Sequence, residues 1–279
     1  MSTFELGVLG EKISYSLSPD IFAWAFRVTG ISGSYRIFDV KHDAVRQFLL
    51  NDRSWHGLNV TTPYKELAYE LCEELSELAR GSGAVNCLSR TAQGLLGDNT
   101  DVKGFSFLLD QVIEPDFVPE IALVIGSGGA GRAALQVLAE RYPEMRMEVA
   151  SRHPEIAQLG LGSLEAGFAS FSTIDLETAA HFLHDFPLVI QATPVGSVKL
   201  PGCPVPEPLR FMSGGVVLDL IYAPYNTRFL EYAEQSGARI QNGLPMLLAQ
   251  AAESFQIWTG KEFPLEQAMH ELLPQLSAA

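Results

Sequence analysis

The chain has 279 residues, 47% of them hydrophobic, with a formal net charge of −14 and a sequence pI of about 4.8. That length and apolar content hold one large domain or two ordinary ones and exclude a disordered chain. The acidity excludes nucleic acid and anionic membranes as partners.

Cys72, Cys87 and Cys203 are scattered, with no C-x-x-C pair, so no metal site is expected and a reducing compartment is. The opening residues lack a basic segment and a long apolar core, and no run reaches the length of a membrane span. The expectation is a soluble cytoplasmic protein.

In chain order, Phe4–Leu9 reads as a buried strand. The helical pattern of Ile21, Phe22, Trp24, Ala25 and Phe26 follows it, opened by Ser18 as cap and Pro19 at the first helical position. Ser16 and Ser18 serve capping and turn chemistry, and two hydroxyls at a helix start can also hold a carboxylate. Ser34–Val40 reads as a second strand and His42–Leu50 as a helix.

Gly57–Thr61 reads as a strand, with Leu58 and Val60 alternating with Asn59 and Thr61 and Pro63 ending it. Glu66–Leu78 reads as one amphipathic helix with Leu67, Leu71, Leu75 and Leu78 on a face. Lys65 then stands at a strand-to-helix junction. Gly81–Leu88 is a turn entering a strand, and Gln93–Phe105 a hairpin-like strand closed by the polar cluster Asn99, Thr100, Asp101, which suits a helix start.

Ile121–Leu135 carries the most specific pattern in the chain. An apolar run of strand length breaks at Gly126 and continues at helical spacing through Ala133, Ala134 and Leu135. Gly126, Gly128 and Gly131 fit the dinucleotide fingerprint. The first permits a tight turn, the second lets backbone approach a pyrophosphate, and the third lets the helix pack on the strand.

Further strands are expected at Met147–Ala150, Leu188–Gln191 and Val216–Leu220, with a remnant at Arg239–Gln241. Helices between them predict a parallel, doubly wound sheet. At the tip of its second strand, Ser151 and Arg152 favour a 2′-phosphate and hence NADP, while Glu155 opposes it. Gly243–Gly260 reads as a core-packing helix.

Together these segments resemble the shikimate dehydrogenase family. The motifs are Ser-Leu-Ser-Pro (16–19), Asn-Val-Thr-Thr-Pro-Tyr-Lys (59–65), Gly-Ala-Val-Asn (83–86) and Asn-Thr-Asp-x-x-Gly-Phe (99–105). They continue through Gly-Ser-Gly-Gly-Ala-Gly-Arg-Ala (126–133), Ala-Thr-Pro-Val-Gly (192–196) and Asp-Leu-Ile-Tyr (219–222) to Asn-Gly-Leu-Pro-Met-Leu-x-x-Gln-Ala-Ala (242–252). Gln191 departs from the family's asparagine, and Phe22, Trp24 and Tyr15 stand at places where relatives carry other residues; the three alter either the pocket edge or core packing alone, and packing is the favoured reading.

The resemblance implies an α/β protein of two domains. Residues 1–101, completed by 243–279, form a substrate domain to which the C-terminal helices return, and 102–242 form a Rossmann-type NADP domain. A small-molecule site is expected in the cleft between them. The implied activity is reversible reduction of 3-dehydroshikimate to shikimate, on the chorismate route to aromatic amino acids.

Lys65 and Asp101 are implied as catalytic. Ser16, Ser18 and Tyr222 would take the substrate carboxylate, and Asn59, Thr61, Lys65, Asn86, Asp101 and Gln250 its hydroxyls. Gly126, Ser127, Gly128, Gly129, Ala130 and Gly131 would hold the cofactor with Ser151, Arg152, Thr193, Pro194, Gly243 and Met246. A partner carboxylate favours charged Lys65 and burial favours neutral Lys65. The rival readings are a quinate or dual-specificity dehydrogenase using NAD, and a non-catalytic metabolite sensor. A monomer or homodimer is expected, with a small molecule as the partner.

Overall fold

The computed structural model describes residues 3–277; Met1 and Ser2, where the leader reading begins, and the last two residues lie outside it. The chain divides into two compact units. One comprises the residues up to Gly104 together with those from Leu247 onward, and the other runs from Phe105 to Met246.

The first unit opens β1 (Phe4–Gly10), α1 (Ser18–Thr29), β2 (Gly33–Asp39), α2 (His42–Asn51), β3 (Gly57–Val60) and α3 (Lys65–Leu71). It continues β4 (Glu74–Leu75), α4 (Glu77–Ser82), β5 (Cys87–Arg90), β6 (Leu95–Asp98) and α5 (Thr100–Val112), the last running on into the second unit. The sheet order is β2-β1-β3-β5-β6-β4. β1 pairs in parallel with both neighbours, while β5 is antiparallel to β3 and β6.

That mixed pairing gathers loops. The carboxyl ends of β1 and β3 lie side by side, with Leu9 opposite Val60. Because β5 runs the other way, its start (Cys87) stands opposite Asn59 and also opposite Asp98 at the end of β6. Lys65, Asn86 and Asp101 therefore lie just beyond one end of the neighbouring strands β3, β5 and β6. Beneath them Leu9, Leu49, Trp55, Leu58, Tyr64 and Leu88 form a buried core.

Two expectations fail here. Residues 66–78 are not one helix: α3 stops at Leu71, Glu74–Leu75 pair with β6, and α4 begins after Ser76. Ser76 accepts from Ala79 N and donates to Asp98 Oδ1 (2.6 Å), and Glu73 accepts from Leu95 N (2.6 Å). Those bonds to β6 and its flanks outweigh the helical leucine spacing. Ser18 does not cap α1 either; it is the helix's first residue, and its N–H donates to Ser16 Oγ at 3.3 Å.

The second unit holds β7 (Ile121–Ile125), α6 (Gly129–Arg141), β8 (Arg146–Ala150), α7 (Pro154–Glu165), β9 (Ser170–Ile174), α8 (Leu176–Phe182), β10 (Leu188–Gln191), β11 (Val216–Asp219), α9 (Arg228–Gln235) and β12 (Arg239–Asn242). The sheet is wholly parallel, ordered β12-β11-β10-β7-β8-β9, with the reversal between β7 and β10 that marks a doubly wound fold. β9, a partly exposed strand at the sheet edge with only Phe171 and Ile174 strongly apolar, is absent from the strands expected.

α10 (Leu244–Thr259) then carries the chain into the first unit, where α11 (Leu265–Glu271) and α12 (Leu273–Ser277) end it. Trp258 of α10 donates its indole N–H to Leu88 O at 3.0 Å, fastening the helix to β5. No helix is long and apolar enough to cross a membrane, and no cluster of metal-ligating side chains occurs among the described residues.

Candidate active site

Lys65 is the first residue of α3, just after β3. The turn that presents it is pinned by buried Tyr64, whose hydroxyl donates to Val40 O at 2.6 Å. Lys65 Nζ is paired with Asp101 Oδ2, and both side chains are largely withdrawn from solvent, at 15% and 8% exposure. Asp101 stands in the first turn of α5, where Asn99 Oδ1 accepts its N–H. Its second oxygen accepts from Asn86 Nδ2 at 2.9 Å. One carboxylate thus orients the ammonium and is itself held by an amide.

The amides continue the network. Asn86 Oδ1 accepts from Thr100 N (2.7 Å) and its Nδ2 reaches Thr100 Oγ1 (3.0 Å) and, more distantly, Gln250 Oε1 (3.5 Å). Asn59 Oδ1 accepts from the Tyr35 hydroxyl at 2.8 Å, and its Nδ2 donates to Ser254 Oγ at 2.8 Å. Lys65, Asp101, Asn86, Asn59 and Gln250 therefore share one connected cluster.

Ser16 is half-buried and Ser18 buried, in the loop and first turn after β1; Thr61 follows β3, with its N–H on Leu9 O (2.9 Å). No hydrogen bond joins these three to the Lys65 cluster among the described residues. Phe22 and Trp24 are buried packing residues: Phe22 stacks on Tyr35 (centroids 4.0 Å apart) and Trp24 lies 5.6 Å from Phe263. Tyr15 is half-buried, and desolvation raises its phenol.

In the second unit, β7 turns at Gly126 with φ +109° into α6, whose cap is Gly128. A Cβ on Gly131 would strike the Gly126 carbonyl, so the helix can pack this close only on glycine. Gly128 has nothing within 4 Å of its Cβ position, which leaves the approach to the helix's first N–H groups open. Ser127, Gly129 and Ala130 are half-buried around it. A dinucleotide pyrophosphate fits this cradle in both shape and polarity.

Ser151 and Arg152 follow β8; Arg152 is exposed, and no ion pair joins it to Glu155 among the described residues. Thr193 and Pro194 follow β10, and Tyr222 is half-buried after β11. Gly243 stands just before α10, where a Cβ would strike the Leu220 carbonyl, and Met246 is buried in the first turn of the helix.

Gln191 explains its departure from asparagine. Its Nε2 donates to Thr193 O (3.1 Å) and Val195 O (2.9 Å), and its Oε1 accepts from Thr193 N (2.5 Å), clipping the 193–195 loop. Behind it, Asp219 is fully buried and accepts from Thr227 Oγ1 (2.6 Å), Ile221 N (3.1 Å) and Gln191 Nε2 (3.3 Å). Desolvation pushes its carboxyl up to about 7 against the pull of those three bonds. Tyr35, Ser254 and Asp219 escaped the sequence reading as site residues. For Ser254 a signal existed, since it lies four residues after Gln250 on the same helix face.

The Shikimate dehydrogenase substrate binding domain model matches residues 8–88, and the Shikimate 5'-dehydrogenase C-terminal domain model matches 243–273. The NADP-dependent shikimate dehydrogenase of Salinibacter ruber is 34% identical over 273 residues, covering 95% of each chain. The chain belongs to the shikimate dehydrogenase family. The Bacillus subtilis member is 32% identical over 94% of this chain and 93% of its own.

Among solved members of the family, the Thermus thermophilus enzyme in complex with NADP(H) and shikimate superposes with a TM-score of 0.81 at 33% identity, covering 98% of this chain and 99% of that one. A Listeria monocytogenes member in complex with shikimate and NAD superposes at 0.78 with 27% identity, covering 97% and 96%.

Proposed function

We propose that this chain catalyses the NADP-dependent, reversible reduction of 3-dehydroshikimate to shikimate. The observation that carries this is the withdrawn Lys65–Asp101 pair, set among amides, in a member of this family. NADPH, when bound, supplies the hydride to the ring carbonyl carbon. The protein's own groups bind, orient and manage one proton.

In the reductive direction the carbonyl oxygen gains negative charge as its π bond breaks. The Lys65 ammonium stabilises that charge and gives a proton to the oxygen, which becomes the hydroxyl. In the oxidative direction neutral Lys65 accepts the hydroxyl proton. Asp101 keeps Lys65 aimed and accepts from a ring hydroxyl. Asn59, Thr61, Asn86 and Gln250 take hydroxyls in this reading, and Ser16, Ser18 and Tyr222 the carboxylate.

The turn from Gly126 to Gly131, with Ser151, Arg152, Thr193, Pro194, Gly243 and Met246, would hold the dinucleotide, and Arg152 would take a 2′-phosphate. The setting is a cytoplasmic biosynthetic route. A second reading, a quinate or dual-specificity enzyme using NAD, draws on exposed Glu155 three residues from Arg152. A sensor without catalysis leaves the Lys65–Asp101 pair without a purpose.

Replacing Lys65 with alanine tests the assignment. A proton-transfer role requires kcat to fall by ~10² to 10⁴. A fall below about tenfold, in a variant that still binds shikimate, removes Lys65 from the proton step.

A further inference from the structure

We propose that Ser254 is a positioning residue for substrate recognition: its buried hydroxyl fixes the Asn59 amide so that the substrate ring meets an acceptor there and not a donor. The inference rests on the reading above, in which Asn59 takes a ring hydroxyl.

A side-chain amide has two N–H donors and one oxygen with two lone pairs. Both donors of Asn59 are used inside the protein, on Ser254 Oγ (2.8 Å) and on the Asn86 carbonyl (3.3 Å). Its oxygen accepts from Tyr35 and keeps one lone pair. Ser254 donates its own proton to the Gln250 carbonyl one turn back (2.9 Å), which leaves its oxygen to accept from the amide and from Thr100 Oγ1 at 3.1 Å.

A flipped Asn59 would face two oxygens with its own oxygen. The Tyr35 hydroxyl, able to donate or accept, does not choose between the two orientations. The Asn86 carbonyl can only accept, and the Ser254 hydroxyl, fully buried with its proton held by the Gln250 carbonyl, accepts as well and is the shorter of the two contacts, so together they set the amide.

The same count at Asn86 leaves no donor, since its Nδ2 is taken by Thr100 Oγ1 and Asp101 Oδ1. Gln250 spends one N–H on Leu247 O (2.8 Å). The donors left in the cluster are the Lys65 ammonium and the second N–H of Gln250. A hydroxyl, which carries a proton, is thus recognised at Asn59, and the carbonyl oxygen, which has none, is refused there and left to Lys65. Ser254 thereby contributes to which way round the ring binds.

Ser254→Ala should fold, because alanine is the better helix former and the lost back-bond to Gln250 is one that tends to bend helices. The expected result is a shikimate Kd, measured by calorimetry without cofactor, raised about three- to tenfold. KM should rise in parallel while kcat stays within about threefold, the pattern of lost uniform binding. In an Asn59→Ala background the same substitution should add nothing, because both changes act through one amide.

An unchanged Kd in Ser254→Ala, with Asn59→Ala costly, overturns the proposal alone. An equal added loss in both backgrounds also overturns it, since Ser254 would then act elsewhere. Wild-type shikimate affinity in Asn59→Ala overturns the assignment of Asn59 itself and the proposal with it.

Discussion

Asp219 gives the structure a pH dependence that one substitution should remove. It is 0% exposed, has no cation beside it among the described residues, and burial pushes its carboxyl to about 7 despite three hydrogen bonds. In the unfolded chain it titrates near ~3.9. Between those values the folded state holds a proton that the unfolded state has released. Stability therefore falls as pH rises from about 4 to about 7 and levels off above.

The span corresponds to a loss on the order of a few kcal/mol. For a unit of this size that is a difference of roughly 6–12 °C in Tm. Asp219→Asn keeps the side-chain shape and carries no titrating group. Thermal unfolding of both proteins followed at steps from about pH 4 to about pH 8 is the assay, since every other titrating group cancels in the difference. The wild type should lose Tm more steeply than Asp219→Asn up to about pH 7, with the two curves diverging to that point and running parallel above it. Parallel curves throughout would mean that Asp219 stays ionised in the fold and that desolvation does not dominate there.

Two further outcomes concern the second unit. Gly131→Ala sets a methyl into the Gly126 carbonyl, so the turn must open; fluorescence titration should show NADPH binding lost in a variant that still binds shikimate, and normal NADPH binding would contradict the cradle. Arg152→Ala should weaken NADPH by about tenfold or more and leave NADH unchanged, as expected for one charge-assisted phosphate contact. Equal losses for both cofactors would contradict a 2′-phosphate role.

Much of the fold was legible because the central strands of the second unit, β7, β10 and β11, are buried parallel strands whose apolar runs are distinctive. Ile121–Ile125 and Leu188–Gln191 were read to the residue. The split of residues 66–78 has a plain physical cause. Leu67, Leu71, Leu75 and Leu78 share a helical spacing, but Ser76 and Glu73 hydrogen-bond to β6 and its flanks, distant in sequence, and no local pattern reports that.

At the site, Lys65, Asn86 and Asp101 carry recognisable motifs, and the structure connects them directly. Helical spacing from Gln250 pointed at Ser254, but its partner Asn59, like the 193–195 loop that Gln191 clips, is brought to it only by folding. Phe22, read as packing, is packing, yet it stacks on the tyrosine that holds Asn59.

The measurement that tests the central claim most directly is the initial rate of cofactor reduction with shikimate and with quinate, each paired with NADP⁺ and with NAD⁺. Fast turnover confined to shikimate with NADP⁺ is the expected result. Turnover of quinate, or preference for NAD⁺, would contradict it in favour of the second reading and make Glu155 the next residue to change; no turnover in any pairing, with shikimate still bound, would contradict catalysis itself.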